Sequence, residues 1–143
     1  MTVPMALEPR PSVPTGARMA GRITVTAAWG LCLLRPRHLC RALQTARRGS
    51  VAATHDQALA ARRAVVAVST HCAGQGCLRR SVATALLCRL QGTWPTWCTG
   101  VRPEPFRAHA WVEADGRAVG EPHPAGYYTV ILSVPPPQHG AAP

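Results

Sequence analysis

Apolar residues recur along this chain with a helical period in the first two thirds and with an alternating one after that. From Ala20 to Leu34 the residues Ile23, Ala27, Leu31 and Leu34 keep helical spacing, and Pro36 ends that helix by excluding αR at Arg35. His38 to Arg47 forms a second short helix, closed by Arg48-Gly49-Ser50. A third runs from Thr54 or His55 to Ser69, with Thr54 as its cap and Ala58, Ala61, Val65 and Val68 on one face. Residues 70–76 form a polar, Gly-containing loop, after which Cys77 or Leu78 opens a helix to Arg89 carrying Leu78, Val82, Leu86 and Leu90 on one side. Gln91-Gly92 stops it.

The period then changes. After Thr93–Trp97 and the short apolar piece Cys98–Val101, the runs Phe106–Val112 and Arg117–Gly120 flank Ala114-Asp115-Gly116 as a β-hairpin, and Tyr127–Val134 is a further strand. Residues 1–17 hold four Pro without periodicity and read as a disordered leader; 137–143 read as a flexible tail. The expected fold class is α+β: a helical N-terminal part (18–69) before a core (70–136) of one central helix and a small antiparallel sheet.

Composition narrows the setting. A chain of 143 residues suits one core rather than two, and its 47% hydrophobic content excludes general disorder. The net charge of +10 comes wholly from Arg, which is spread rather than striped, so nucleic acid is not expected as a partner. The longest apolar stretch, Ile23–Leu34, falls short of the roughly 18 residues that span a bilayer, and no signal-peptide pattern precedes it. The six cysteines are therefore expected to be reduced thiols in a cytoplasmic protein, with Met5 as eligible a start as Met1.

One cysteine sits where chemistry is expected. Cys77 follows Gly74-Gln75-Gly76 at a helix start, where free N–H groups and the helix dipole favour an anion. A thiol so placed can fall from about 8.5 to roughly 3.5–7.5. The N–H groups near Cys77 and Leu78, with the Gln75 side chain as a further donor, could hold an oxyanion. His109 lies in Ala108-His-Ala-Trp-Val-Glu113, where His109, Trp111 and Glu113 share one strand face and small neighbours let a helix approach. Trp111 is either a core residue or part of a substrate channel. An acid must orient the imidazole, and Glu121, Glu113 and Asp115 are the candidates. A two-residue Asp-Gly turn pairs His109 with Pro122, whereas a three-residue loop pairs it with Glu121. The chemistry favours the three-residue loop.

At these residues the chain resembles the transglutaminase-like leader peptidases of bacterial lasso-peptide biosynthesis. The resemblance lies in Cys72–Leu87, Gly100-Val101 and Phe106–Glu121, about half the chain, and is carried by Cys77-Leu-Arg-Arg-Ser81 together with Ala108-His-Ala-Trp-Val-Glu113. It implies a papain-like core, Cys77 as nucleophile, His109 as base and then acid, and Glu121 where that family commonly has Asp. It also implies a thioester intermediate, no cofactor, a precursor leader peptide as substrate, a separate leader-recognition protein and a lasso cyclase as partners, and no membrane. Three readings compete. The same triad could transfer the acyl group to an amine. His71, Cys72, Cys77, Cys88 and Cys98 could bind metal, although their spacing forms no paired-ligand motif. The chain could be a basic binding protein. Outside these readings, His38, His55, His71, His123 and His139 are assigned to loops, caps or tail.

Overall fold

The computed structural model describes residues 7–138. The tail residues from His139 onward, and the alternative starts Met1 and Met5, lie outside them. Five helices precede or flank a sheet: α1 (Thr15–Leu31), α2 (Pro36–Ala46), α3 (His55–Val68), the short α4 (Thr70–Ala73) and α5 (Cys77–Leu90). The strands are β1 (Val51–Ala52), β2 (Thr93–Trp94), β3 (Thr96–Pro103), β4 (Phe106–Ala114), β5 (Arg117–Ala118) and β6 (Thr129–Val134). β1 and β2 form a parallel pair, and the other four make an antiparallel sheet in the order β5-β4-β3-β6. The fold class is α+β, as the change of period indicated.

Local chemistry sets the helix ends. Pro36 occupies the first turn of α2, where its missing N–H costs nothing. Thr54 closes a full capping box on α3: its hydroxyl accepts from Gln57 N and its own N–H donates to the Gln57 side chain. The Asp115 carboxylate adds a bond from His55 N at 2.7 Å, so the exposed hairpin turn is tied to the start of α3.

Three expectations need correction. First, α1 begins at Thr15, straight after Pro14, and its buried face is Gly21, Thr24 and Ala28 with Leu31 packed against the core, while Ile23, Ala27 and Leu34 are exposed. Gly21 is chosen for closeness: a Cβ there would stand 3.0 Å from the Ala64 carbonyl of α3. Second, residues 7–14, the described part of the segment before α1, are anchored, while residues 1–6 of the expected leader lie outside the described residues. Glu8 N–H donates to Ala73 O, and its carboxylate takes both Arg62 guanidinium nitrogens at 2.6 and 2.8 Å, which hold it below the usual carboxylate range. Third, the piece expected only as a short apolar run is β3, one of the two inner strands of the sheet.

α5 is the hub of the core. Val82, Ala83, Thr84, Ala85, Leu87 and Cys88 are buried in it, with α1 and α3 on one side and the sheet on the other. Trp94 and Trp97 complete the packing, each with its indole satisfied: Trp94 donates to Val134 O and Trp97 to Ser81 Oγ, both at 3.0 Å. Trp94→Ala empties the largest fully buried volume and orphans that carbonyl. It is expected to lower stability by about 3–5 kcal/mol, read as the shift of the urea midpoint at unchanged slope.

Candidate active site

The start of α5 is built to present one side chain. Gly76 turns the chain between His71 and Cys77, and its N–H donates to His71 O. A Cβ on Gly76 would lie 2.3 Å from the His71 ring, so only glycine fits. Arg80, itself buried, reaches back from the next turn to the carbonyls of Cys72 and Gly74 at 3.0 and 3.4 Å, and so braces the loop from inside. Its Nη1 is also 3.9 Å from the Glu8 carboxylate, which links the loop to the N-terminal segment.

The sheet supplies the second side chain. His109 of β4 stands opposite Gly100 of β3. A Cβ on Gly100 would meet Thr129 O at 2.6 Å and the Trp111 ring at 2.9 Å, which is why this inner strand carries a glycine. His109 and Cys77 line one groove, floored by Thr99, Gly100, Ala108 and Ala110 and walled by Leu78 and Ile131. The groove encloses about 250 Å³.

The third side chain arrives by a route the sequence did not suggest. Ala114 pairs with Arg117 and Glu113 with Ala118, so the hairpin turn is the two-residue Asp115-Gly116 turn and not a three-residue loop. Both turn residues have positive φ, 53° and 72°, as a type I′ turn requires. In that register a continued ladder would carry Glu121 to the wrong face. The ladder does not continue. Val119 N–H still bonds Val112 O, but Gly120 adopts φ 65° and swings Glu121 back onto His109, with Nε2 to Oε2 at 2.7 Å. Glu113 instead accepts the Trp111 indole N–H at 2.9 Å, so neither it nor Asp115 meets His109.

Electrostatics follow from this arrangement. Burial pushes the Cys77 thiol up, but hydrogen bonds from His109 and the Ala110 backbone, with the charges of His109 and Arg80, outweigh it and the net shift is downward. Burial alone would depress His109; its bonds to Cys77 and Glu121 raise it instead, to about 9. Both shifts favour the thiolate–imidazolium form of the pair. Cys32, Cys40 and Cys72 are raised by burial, and Cys88 and Cys98 are pushed up to about 12. One thiol of six is primed. Iodoacetamide is accordingly expected to label Cys77 alone at neutral pH, with a reactivity midpoint below the ordinary thiol value of about 8.5. A midpoint at or above that value would contradict the ion pair.

The remaining sequence candidates divide. Leu78 lines the groove. Gln75 is exposed and its carbonyl accepts the Cys77 N–H at 3.0 Å, so that N–H is already engaged and the Gln75 side chain is not in the groove. Trp111 is nearly buried and faces a second cavity beyond His109. Among the described residues no three His, Cys, Asp or Glu side chains converge to hold a metal ion, and no helix is long and apolar enough to cross a membrane.

A model of the transglutaminase-like superfamily matches residues 21–133. The chain belongs to that superfamily. No curated protein and no solved structure matches it. Transglutaminase-like proteins are typically cysteine-based enzymes and include both peptidases and acyltransferases. The matched span runs from α1 into β6, so the helices before residue 70 belong to the same transglutaminase-like unit as the sheet. Glu8, Arg62 and the Ala110 N–H went unnoticed in the sequence because each acts through a tertiary contact, whereas Arg80 lies in the turn after Cys77 and its charge lowers that thiol as its nearness suggests.

Proposed function

We propose that this transglutaminase-like protein is a cysteine peptidase that removes the leader from a ribosomally made lasso-peptide precursor. The observation that carries the reading is the chain of contacts Cys77–His109–Glu121, in which the one thiol with a lowered pKa meets a histidine held by a carboxylate. The peptide class rests on the resemblance of Cys72–Leu87 and Phe106–Glu121 to lasso leader peptidases.

The steps follow from the ion pair. The Cys77 thiolate attacks the carbonyl at the leader–core junction, and the electron pair of the carbonyl moves to oxygen. Because the Cys77 N–H is engaged by Gln75 O, the Leu78 N–H, free at the first helical turn and in the residue that lines the groove, is the backbone donor assigned to that oxyanion. His109 gives its proton to the departing core amine, leaving a leader thioester on Cys77. Water, deprotonated by the now neutral His109, hydrolyses the thioester and restores the thiolate. Glu121 keeps the imidazole aligned throughout. A separate recognition protein would hold the leader, and the released core amine would pass to a cyclase.

Mass spectrometry of a co-expressed precursor, recognition protein and wild-type enzyme tests this. A single cut with leader and core masses summing to the precursor plus one water is the expected result. A leader mass carrying an added amine would replace hydrolysis by acyl transfer. An intact precursor would refute the substrate assignment.

A further inference from the structure

His109 is the wall between two spaces. On one side lies the groove with Cys77; on the other is a half-open cavity of about 160 Å³ that no step above uses. Trp111 and Tyr128 form its corner, with ring centroids 5.8 Å apart and planes tilted by 33°. Two carboxylates, Glu113 and Glu121, enter the same space. The chain has only six acidic residues against sixteen Arg, so two in one cavity is a local reversal of its +10 charge.

Each carboxylate has one oxygen engaged. Glu113 Oε1 takes the Trp111 indole N–H, and Glu121 Oε2 takes His109 Nε2. The other oxygens, Glu113 Oε2 and Glu121 Oε1, have no hydrogen-bond donor among the described residues. The Glu121 side chain keeps only 8% exposure, yet no fully buried side-chain polar atom of the described residues lacks a partner. Glu121 lines this cavity and also a crevice of about 10 Å³ that it shares with Arg62 and Arg80, so it offers the cavity its charge, while Glu113 Oε2 offers a free acceptor. Cations do stand nearby, and they are committed elsewhere. His109 faces Cys77 and Glu121, Arg107 bonds Tyr128, and Arg102 bonds the Tyr127 hydroxyl and lies over that ring, on which His123 also stacks. Of the two arginines sharing a crevice with Glu121, Arg62 pairs with Glu8 and Arg80 donates to the Cys72 and Gly74 carbonyls.

We infer that this cavity is a subsite for a cationic side chain, an ammonium or guanidinium, of the peptide substrate. Aromatic faces attract a cation, the free Glu113 oxygen accepts its hydrogen bond and the Glu121 carboxylate adds charge. The side of the substrate follows from the proposed reaction, on which this part rests. The acyl group stays on Cys77 in the groove, and the amine leaves towards His109. The cation therefore belongs to a residue on the core side of the scissile bond.

The test needs no catalysis, so its failure is separable from failure of the peptidase reading. Nα-acetyl-lysine N-methylamide and its norleucine counterpart are titrated against the protein, with the Trp111 indole N–H resonance as reporter. The lysine derivative is expected to bind at least about tenfold tighter, and the difference to vanish in Glu113→Gln. In wild type, raising salt should weaken the lysine derivative and not the norleucine one, a readout independent of any variant. Equal binding of the two derivatives would make the cavity a plain apolar pocket and overturn the inference. So would a lysine preference that survives both Glu113→Gln and high salt.

Discussion

Cys77→Ala is expected to abolish precursor cleavage, by at least about 10⁴-fold in single-turnover rate, because no other group can replace the thiolate. The other five thiols are raised by burial, and two of them stand near 12, so none is ionised at working pH. The substitution is small at a half-buried position, and the fold should survive it, which intrinsic Trp fluorescence of the buried Trp94 and Trp97 checks. A second readout separates loss of the nucleophile from loss of the site. Cys77 is the first of the interactions that raise His109 towards about 9. Removing it should lower the His109 titration midpoint while the Glu121 bond keeps the ring in place. Cleavage above about one part in a hundred in Cys77→Ala would end the nucleophile assignment, whatever the fluorescence shows.

How much of this was legible depended on whether a feature is local. The Thr54 cap and the start of α5 at Cys77 are written in neighbouring residues, and each stands where the pattern put it; the hairpin turn is local too, but the two-residue Asp115-Gly116 turn forms in place of the three-residue loop that the chemistry favoured. β3 was missed because Pro95, Gly100 and Pro103 look like breakers, yet Gly100 is demanded by two close neighbours from other strands. The buried face of α1 was misjudged for a similar reason. Its contact with α3 selects small residues for approach, so Gly21, Thr24 and Ala28 turn inward while Ile23 stays 60% exposed. A hydrophobicity pattern cannot register a preference for smallness. Glu8 was invisible for want of any local signal: its partner Arg62 lies 54 residues away. The meeting of Cys77, His109 and Glu121 was foreseen from residue types, while the path of Glu121 was not. The reason is that a ladder argument assumes the hairpin continues, and this one ends after Ala118.

Glu121→Gln is expected to slow cleavage by on the order of 10²–10⁴-fold, the scale seen when a carboxylate orienting a catalytic histidine becomes an amide. The sign of the accompanying pH change is fixed by charge. Glu121 raises His109 through its hydrogen bond and its charge, and the imidazolium in turn lowers Cys77. A neutral amide removes the charge, so His109 should titrate lower, Cys77 higher, and the alkylation profile should move to higher pH. Gly120→Ala should do the same by geometry alone. At φ 65° a Cβ would lie 2.9 Å from Arg62 Cδ, and Arg62 cannot yield because it is 7% exposed and bonded to Glu8 through two nitrogens. The backbone must shift instead, and Glu121 is the next residue along it. Gly92→Ala supplies the control: its φ of 82° is equally left-handed, but nothing stands within 4 Å, so it should cost about 1–2 kcal/mol of stability and leave the alkylation profile unmoved. An alkylation midpoint unchanged in both Glu121→Gln and Gly120→Ala, in folded protein, would show that Glu121 neither orients His109 nor holds its charge. Cys77 would then act with His109 as an unaided dyad.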